Sequence, residues 1–111
     1  MKRIKEDFIL SEMANLSSYD TNLPMNIYIS DSTGIKHEPR IKVQINHSQK
    51  FRKDLLVSVT ISKDPEVIGE GLSIEDFKEV KKFIINNYSI LLSYWNKQIS
   101  IGILLKNLKE N

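Results

Sequence analysis

The chain has no cysteine, which excludes a disulfide scaffold, a thiol nucleophile and every thiolate metal site. It has no apolar run near the roughly 20 residues needed to span a bilayer. It lacks a strong charge of one sign: 16 Lys and Arg face 14 Asp and Glu, for a net +2, too even to make the whole chain a polyelectrolyte partner. The opening Met-Lys-Arg-Ile-Lys-Glu-Asp is too acidic and too poor in apolar residues for a signal peptide. No internal repeat or low-complexity tract is present. These absences point to a cytoplasmic protein with no membrane contact and no bound cofactor. At 111 residues the chain is one domain's length, and a chain of this size buries roughly two-thirds of its unfolded surface.

What is present changes character near Gly71. Before it, β-branched residues alternate with polar ones; after it, apolar residues recur every three or four positions without proline. Residues 1–22 read as an N-terminal arm. Within it Phe8, Ile9, Leu10, Met13 and Leu16 suit one face of a short helix, and 17–22 form a polar loop. Residues 23–111 read as a single α+β domain. The first strand spans Met25–Ser30, with Ile27 and Ile29 on one side and Asn26 and Tyr28 on the other. In the second, Arg40–Ile45, residues Ile41, Val43 and Ile45 face inward and Arg40, Lys42 and Gln44 outward. The third, Leu56–Ile61, buries Val57, Val59 and Ile61, and Val67-Ile68 adds a short edge. Brief connections imply an antiparallel meander of three to four strands.

Ser73 is placed to cap a long helix, with Glu75 and Asp76 in its first turn, where negative charge favours the dipole. Ile74, Phe77, Val80, Ile84, Tyr88, Leu91, Leu92 and Trp95 form a continuous stripe, widened by Phe83, Ile85 and Tyr94. Asn86-Asn87 are poor helix formers within one unbroken helix. Ser100 caps a short terminal helix carrying Ile101, Leu104, Leu105 and Leu108. The architecture expected is a small antiparallel sheet covered on one face by helices. Tyr88 and Tyr94 are open to a homodimer seam.

Catalytic motifs are missing. There is no Gly-x-Ser-x-Gly, no His-Glu-x-x-His and no evident carboxylate pair. His37 and His47 sit at opposite ends of the second strand, about 30 Å apart at roughly 3.3 Å per residue, so they cannot share a metal on a straight strand. Gly69-Glu70-Gly71 lacks the third Gly and the Lys of a phosphate loop and reads as a connector. No catalytic residue and no metal ligand is assigned.

The basic patch remains. Residues 36–53 carry Lys36, Arg40, Lys42, Lys50, Arg52 and Lys53 against Glu38 alone, a local charge of +5. Such a surface suits an acidic protein partner. It also suits nucleic-acid phosphates, with Tyr28 or Phe51 available for stacking. A nuclease-like enzyme using His37 or His47 as base is a third class. The solvated face of an antiparallel sheet is itself expected to be polar.

Asn26-Ile27-Tyr28-Ile29-Ser30-Asp31 followed by His37-Glu38-Pro39-Arg40-Ile41-Lys42-Val43 resembles a family of small bacterial domains of unknown function. In that family a strand ending in Asp precedes a His-x-Pro-His-Phe-His-Val strand. Its closing helix, Asn-x-x-x-Leu-Leu-x-x-Trp, is similar to Asn87–Trp95 here. The resemblance covers about residues 23–98 and implies a small α+β module from gene pairs of toxin–antitoxin or mobile-element type. His37 maps onto the first histidine of the signature. The second and third are Arg40 and Lys42, so no histidine chemistry carries over, and the resemblance implies an anion-facing surface instead.

Overall fold

The computed structural model describes residues 13–34 and 37–111. Its core is a five-stranded antiparallel sheet in sequential order: β1 (Ala14–Leu16), β2 (Ile27–Ile29), β3 (Arg40–Gln44), β4 (Leu56–Thr60) and β5 (Val67–Ile68). Among the described residues four helices accompany it: α1 (Ser18–Thr21), α2 (Ile74–Asn86), α3 (Tyr88–Trp95) and α4 (Ile101–Asn107). The α+β architecture is the one read from the sequence.

Register explains the inner face. Leu16, Ile27, Val43 and Val57 lie side by side across β1 to β4, and Ile41, Val59 and Val67 form the next row. Each side chain points to the same face because strand side chains alternate with a period of two. Val80, Phe83 and Ile84 of α2, Leu91 of α3 and Leu104 of α4 pack onto these rows as one buried cluster. Fully burying such a side chain contributes about 1.5–3 kcal/mol.

Part of the proposed arm belongs to the sheet. Ala14–Leu16 pairs with β2 as an edge strand, and Leu16 is fully buried. The helix reading of Met13 and Leu16 is therefore corrected: a three-residue strand is too short to show alternation, while the Met13–Leu16 spacing happens to fit a helical turn. Ser17 then starts α1 in a capping box, its hydroxyl accepting from the Asp20 N–H while the Asp20 carboxylate accepts from the Ser17 N–H. The Phe8–Leu10 part of that reading, and the rest of 1–12, lie outside the described residues.

Ser73 and Ser100 cap α2 and α4 as the sequence implied, accepting from the N–H groups of Asp76 and Ile103. The long helix is broken once, at Asn87. This residue is 3% exposed. Its amide donates to the carbonyls of Phe83 and Lys109 and accepts from the Lys109 N–H. A side chain that bonds both the preceding turn and the C-terminal tail competes with helix continuation. The apolar stripe survives, since 80, 84, 87, 91 and 95 remain on the buried face across the break. The tail then passes on to Thr21, whose carbonyl accepts from the Asn111 N–H. Ile74 and Ile85, placed by the sequence among the apolar positions, are instead exposed at 73% and 47%.

Gly69 and Gly71 sit at φ 123° and 104°, conformations side chains rarely adopt. A Cβ on Gly71 would also lie 2.8 Å from the Ile45 side chain. The segment is a connector that turns tightly between β5 and α2.

Candidate functional site

The outer face of the sheet carries the row Asn15, Tyr28, Lys42, Ser58 and Ile68. It is not the open solvated face that alternation alone implies. Tyr28, Gln44 and Ser58 are all buried: the β3–β4 connection folds back over Tyr28 and Gln44, and the Lys42 side chain reaches onto Ser58.

Gln44 builds that connection. It is fully buried, and its amide nitrogen donates to Asn46 Oδ1 (2.7 Å) and to the carbonyls of Ser48 (3.2 Å) and Lys50 (2.9 Å). Its carbonyl oxygen accepts from the Arg52 N–H at 2.9 Å. One outward glutamine thus closes the loop on itself. Asn26 adds a bond to the Gln49 carbonyl, and Gln49 donates to the Ser18 hydroxyl. The loop ends in a 3-10 turn at Lys53–Leu55. The result places Phe51, 41% exposed, edge-on to the Tyr28 ring at 5.1 Å. The Tyr28 hydroxyl is buried without a hydrogen-bond partner among the described residues. Tyr28 is therefore not available for stacking on a ligand, and Phe51 is.

The five described residues of the basic patch are distributed along this surface rather than gathered at one point. Lys36 lies outside the described residues. Arg40 opens β3, about 13 Å along the strand from Gln44 at roughly 3.3 Å per residue. Its guanidinium is paired with Glu38 at 2.9 Å, and the Glu38 carboxyl is held below its usual range by its own backbone hydrogen bond first and Arg40 second. Arg52 makes a two-point pair with Asp54, at 3.0 and 2.8 Å. This pairing lowers the Asp54 carboxyl and raises the guanidinium. Both pairs are exposed, and each contributes little to stability. Lys50 and Lys53 are exposed on the loop.

Lys42 differs from the rest. It is half-buried at the centre of the sheet and donates to Ser58 Oγ at 2.8 Å. Burial, and secondarily the Arg40 charge, push its ammonium pKa down. An NMR titration of the lysine side chains should find Lys42 deprotonating at lower pH than an ordinary lysine. Arg40→Gln should raise its midpoint only part of the way back, because burial is the larger cause. The unfolded chain holds this proton to higher pH than the native one. Stability should therefore rise with pH between the native midpoint and the ordinary lysine value. An Arg40→Gln midpoint that failed to rise would remove Arg40 as a cause.

The two histidines meet different partners. His37 lies against the Trp95 ring at 5.9 Å, with Nδ1 donating to the Glu38 carbonyl at 2.7 Å. His47 Nε2 is 2.8 Å from the Asp76 carboxylate. Asp76 thus turns its side chain to the β3–β4 loop while its N–H serves the Ser73 cap, a pairing that sequence distance hides. Among the described residues no group of three His, Asp or Glu side chains could hold a metal ion. No described helix is long and apolar enough to cross a membrane.

No family model, curated protein or solved structure matches this chain. The likeness of residues 26–43 and 87–95 to the small bacterial domains rests on those residues alone.

Proposed function

We propose that this is a non-enzymatic binding module that engages an acidic protein partner through the outer sheet face. The observation that carries this reading is Phe51: an exposed aromatic ring, backed by a buried tyrosine, on a loop tied down by a buried glutamine and flanked by Lys50, Arg52 and Lys53. Aromatic and arginine side chains anchor protein interfaces, and a pre-ordered anchor loses little entropy on binding. Lys42 and Lys50 add positive charge that attracts carboxylates, and Arg40 and Arg52 can exchange their local carboxylates for a partner's.

A nucleic-acid reading of the same face is less well supported. One of its two candidate stacking rings, Tyr28, is buried, which leaves Phe51 alone to stack on bases. The resemblance to the small bacterial domains adds the expectation that the partner is encoded beside this protein, as a regulator and its target often are in toxin–antitoxin or mobile-element loci.

The test is affinity capture of the full chain from its host, with and without nuclease, beside Phe51→Ala and Arg40→Glu/Lys42→Glu proteins. A discrete protein that survives nuclease, is lost in both variants and re-forms the complex when purified is the expected result. Recovery of nucleic acid, with its associated proteins lost on digestion, would replace this reading with the nucleic-acid one. A partner retained by both variants would place the interface elsewhere.

A further inference from the structure

The helical side of the molecule carries a second cationic feature, assembled from segments far apart in sequence. Two hollows meet at Ile85 and Asn86, which line both. The larger, about 430 Å³, lies at the break between α2 and α3 and carries Lys63 and Lys109. The smaller, about 300 Å³, runs along α2 and carries Lys78, Lys81 and Lys82. Five lysines therefore surround a half-exposed isoleucine, and among the described residues no carboxylate lines either hollow. Of the three acids of α2, Asp76 pairs with His47 and Glu79 with the Asn111 amide, while the exposed Glu75 stands one turn before Lys78. Of the five lysines, Lys81 alone has a carboxylate partner among the described residues, the exposed Asp64 at 3.3 Å.

We propose that this groove binds an acidic polypeptide segment bearing an apolar side chain. Four of the five lysines are exposed and have no carboxylate partner among the described residues, so a chain of carboxylates is the complement. Ile85 at the junction gives the contact an apolar centre, which a phosphodiester backbone has nothing to match. The one aromatic residue in the lining, Tyr88, is half-buried, so bases find little to stack on. From Lys78 to Asn86 the helix rises about 12 Å at 1.5 Å per residue, long enough for several peptide residues to lie alongside. This surface is distinct from the Phe51 loop: α2 covers the inner face of the sheet, and Phe51 sits over the outer one.

The test is a titration of the ¹⁵N-labelled full chain with a short Glu- and Asp-rich peptide that has a leucine at its centre. An all-acidic peptide of equal charge, single-stranded DNA and phosphatidylserine vesicles serve as comparisons. Saturable shifts at Lys82, Ile85, Asn86 and Ser89 are expected, with the leucine peptide binding most tightly. Lys82→Glu/Lys109→Glu should weaken it by about tenfold or more. Ile85→Ser, at an exposed position, should weaken the leucine peptide and leave the all-acidic one unchanged. Lys50→Glu/Arg52→Glu should leave both unchanged. Shifts confined to residues 50–53, equal or tighter binding of DNA or vesicles, or no saturable binding would each overturn the proposal. The Phe51 variants are read separately in the capture experiment, so failure of one surface leaves the other standing.

Discussion

Val59→Asp is expected to abolish the cooperative thermal transition, while Arg40→Glu on the neighbouring strand keeps it. Val59 is fully buried in the inner row, opposite Ile41 on β3 and Val67 on β5. A carboxylate there has no hydrogen-bond donor beside it and loses its hydration, a cost of about 3–5 kcal/mol or more for an unpaired buried charge. A domain of this length has about 5–15 kcal/mol in total, and the lost valine packing adds to the penalty. The cost depends on pH. In the folded state the introduced carboxyl has its pKa raised above the unfolded value near 4. The native state then holds more protons, so the variant should be least destabilised at about pH 4 or below and lose stability as pH rises. Arg40 points the other way and its guanidinium meets Glu38 in solvent. Its reversal exchanges a weak attraction for a weak repulsion, about 1 kcal/mol or less. Circular dichroism melts of the two proteins at acid and neutral pH check the pair. A Val59→Asp protein that melts like the parent, or an Arg40→Glu protein without a transition, would reverse the assignment of strand faces.

The inner face of the sheet was legible because apolar residues alternate with polar ones along β3 and β4, although Gln44 and Ser58 on the other face are buried as well. The serine caps were legible because they depend on a hydroxyl and an N–H three residues away. What sequence did not show is decided by contacts between distant segments. Gln44 stands at an outward position and is nevertheless fully buried, since residues 46–52 return over it. Charge counting over 36–53 shows an excess of cations. It does not show that Arg40 and Arg52 each hold a carboxylate two residues away, or that Lys42 is drawn down onto Ser58. The lysines of the helical groove are spread from Lys63 to Lys109, so no window of sequence contains them together.

Asn87 bears on the resemblance to the small bacterial domains. In the stretch likened to their closing helix, Asn87, Leu91 and Trp95 are all buried. Asn87 ties the turn before it to the C-terminal tail, and the Trp95 carbonyl accepts from the Ser32 N–H of the β2–β3 connection. Residues in such a pattern are accounted for by architecture: one breaks and anchors the helix, one fills the core, one fixes a loop. A shared pattern of this kind would carry a fold without carrying a partner. On the readings proposed above, partner recognition falls to residues 50–53 and the helical lysines, outside the motif.

Gln44→Leu should leave the sheet folded and release the loop that carries Phe51. Leucine keeps much of the glutamine's shape and removes every bond it makes. The Arg52 N–H and the Ser48 and Lys50 carbonyls then have no side-chain partner. Left buried, each unpaired group costs about 1–3 kcal/mol, more than the loop's own contacts return, so the loop opens to water instead. The net loss should be about 2–4 kcal/mol, capped by the cost of opening. Hydrogen exchange at Arg52 should accelerate sharply while Ile41, Val43 and Val59 stay protected, and the contact between the Phe51 and Tyr28 rings should disappear. Gln44→Glu makes a sharper test. It keeps the acceptor for the Arg52 N–H but turns a negative oxygen toward two carbonyls, so it should be nearly as damaging at neutral pH and recover as the carboxyl takes a proton and regains a donor. An Arg52 amide that exchanges at its original rate in Gln44→Leu would mean the loop is held by other contacts. If the loop opens as argued, partner binding should fall as far as it does in Phe51→Ala, although the phenylalanine itself is intact: what the glutamine contributes to recognition is the position of the ring.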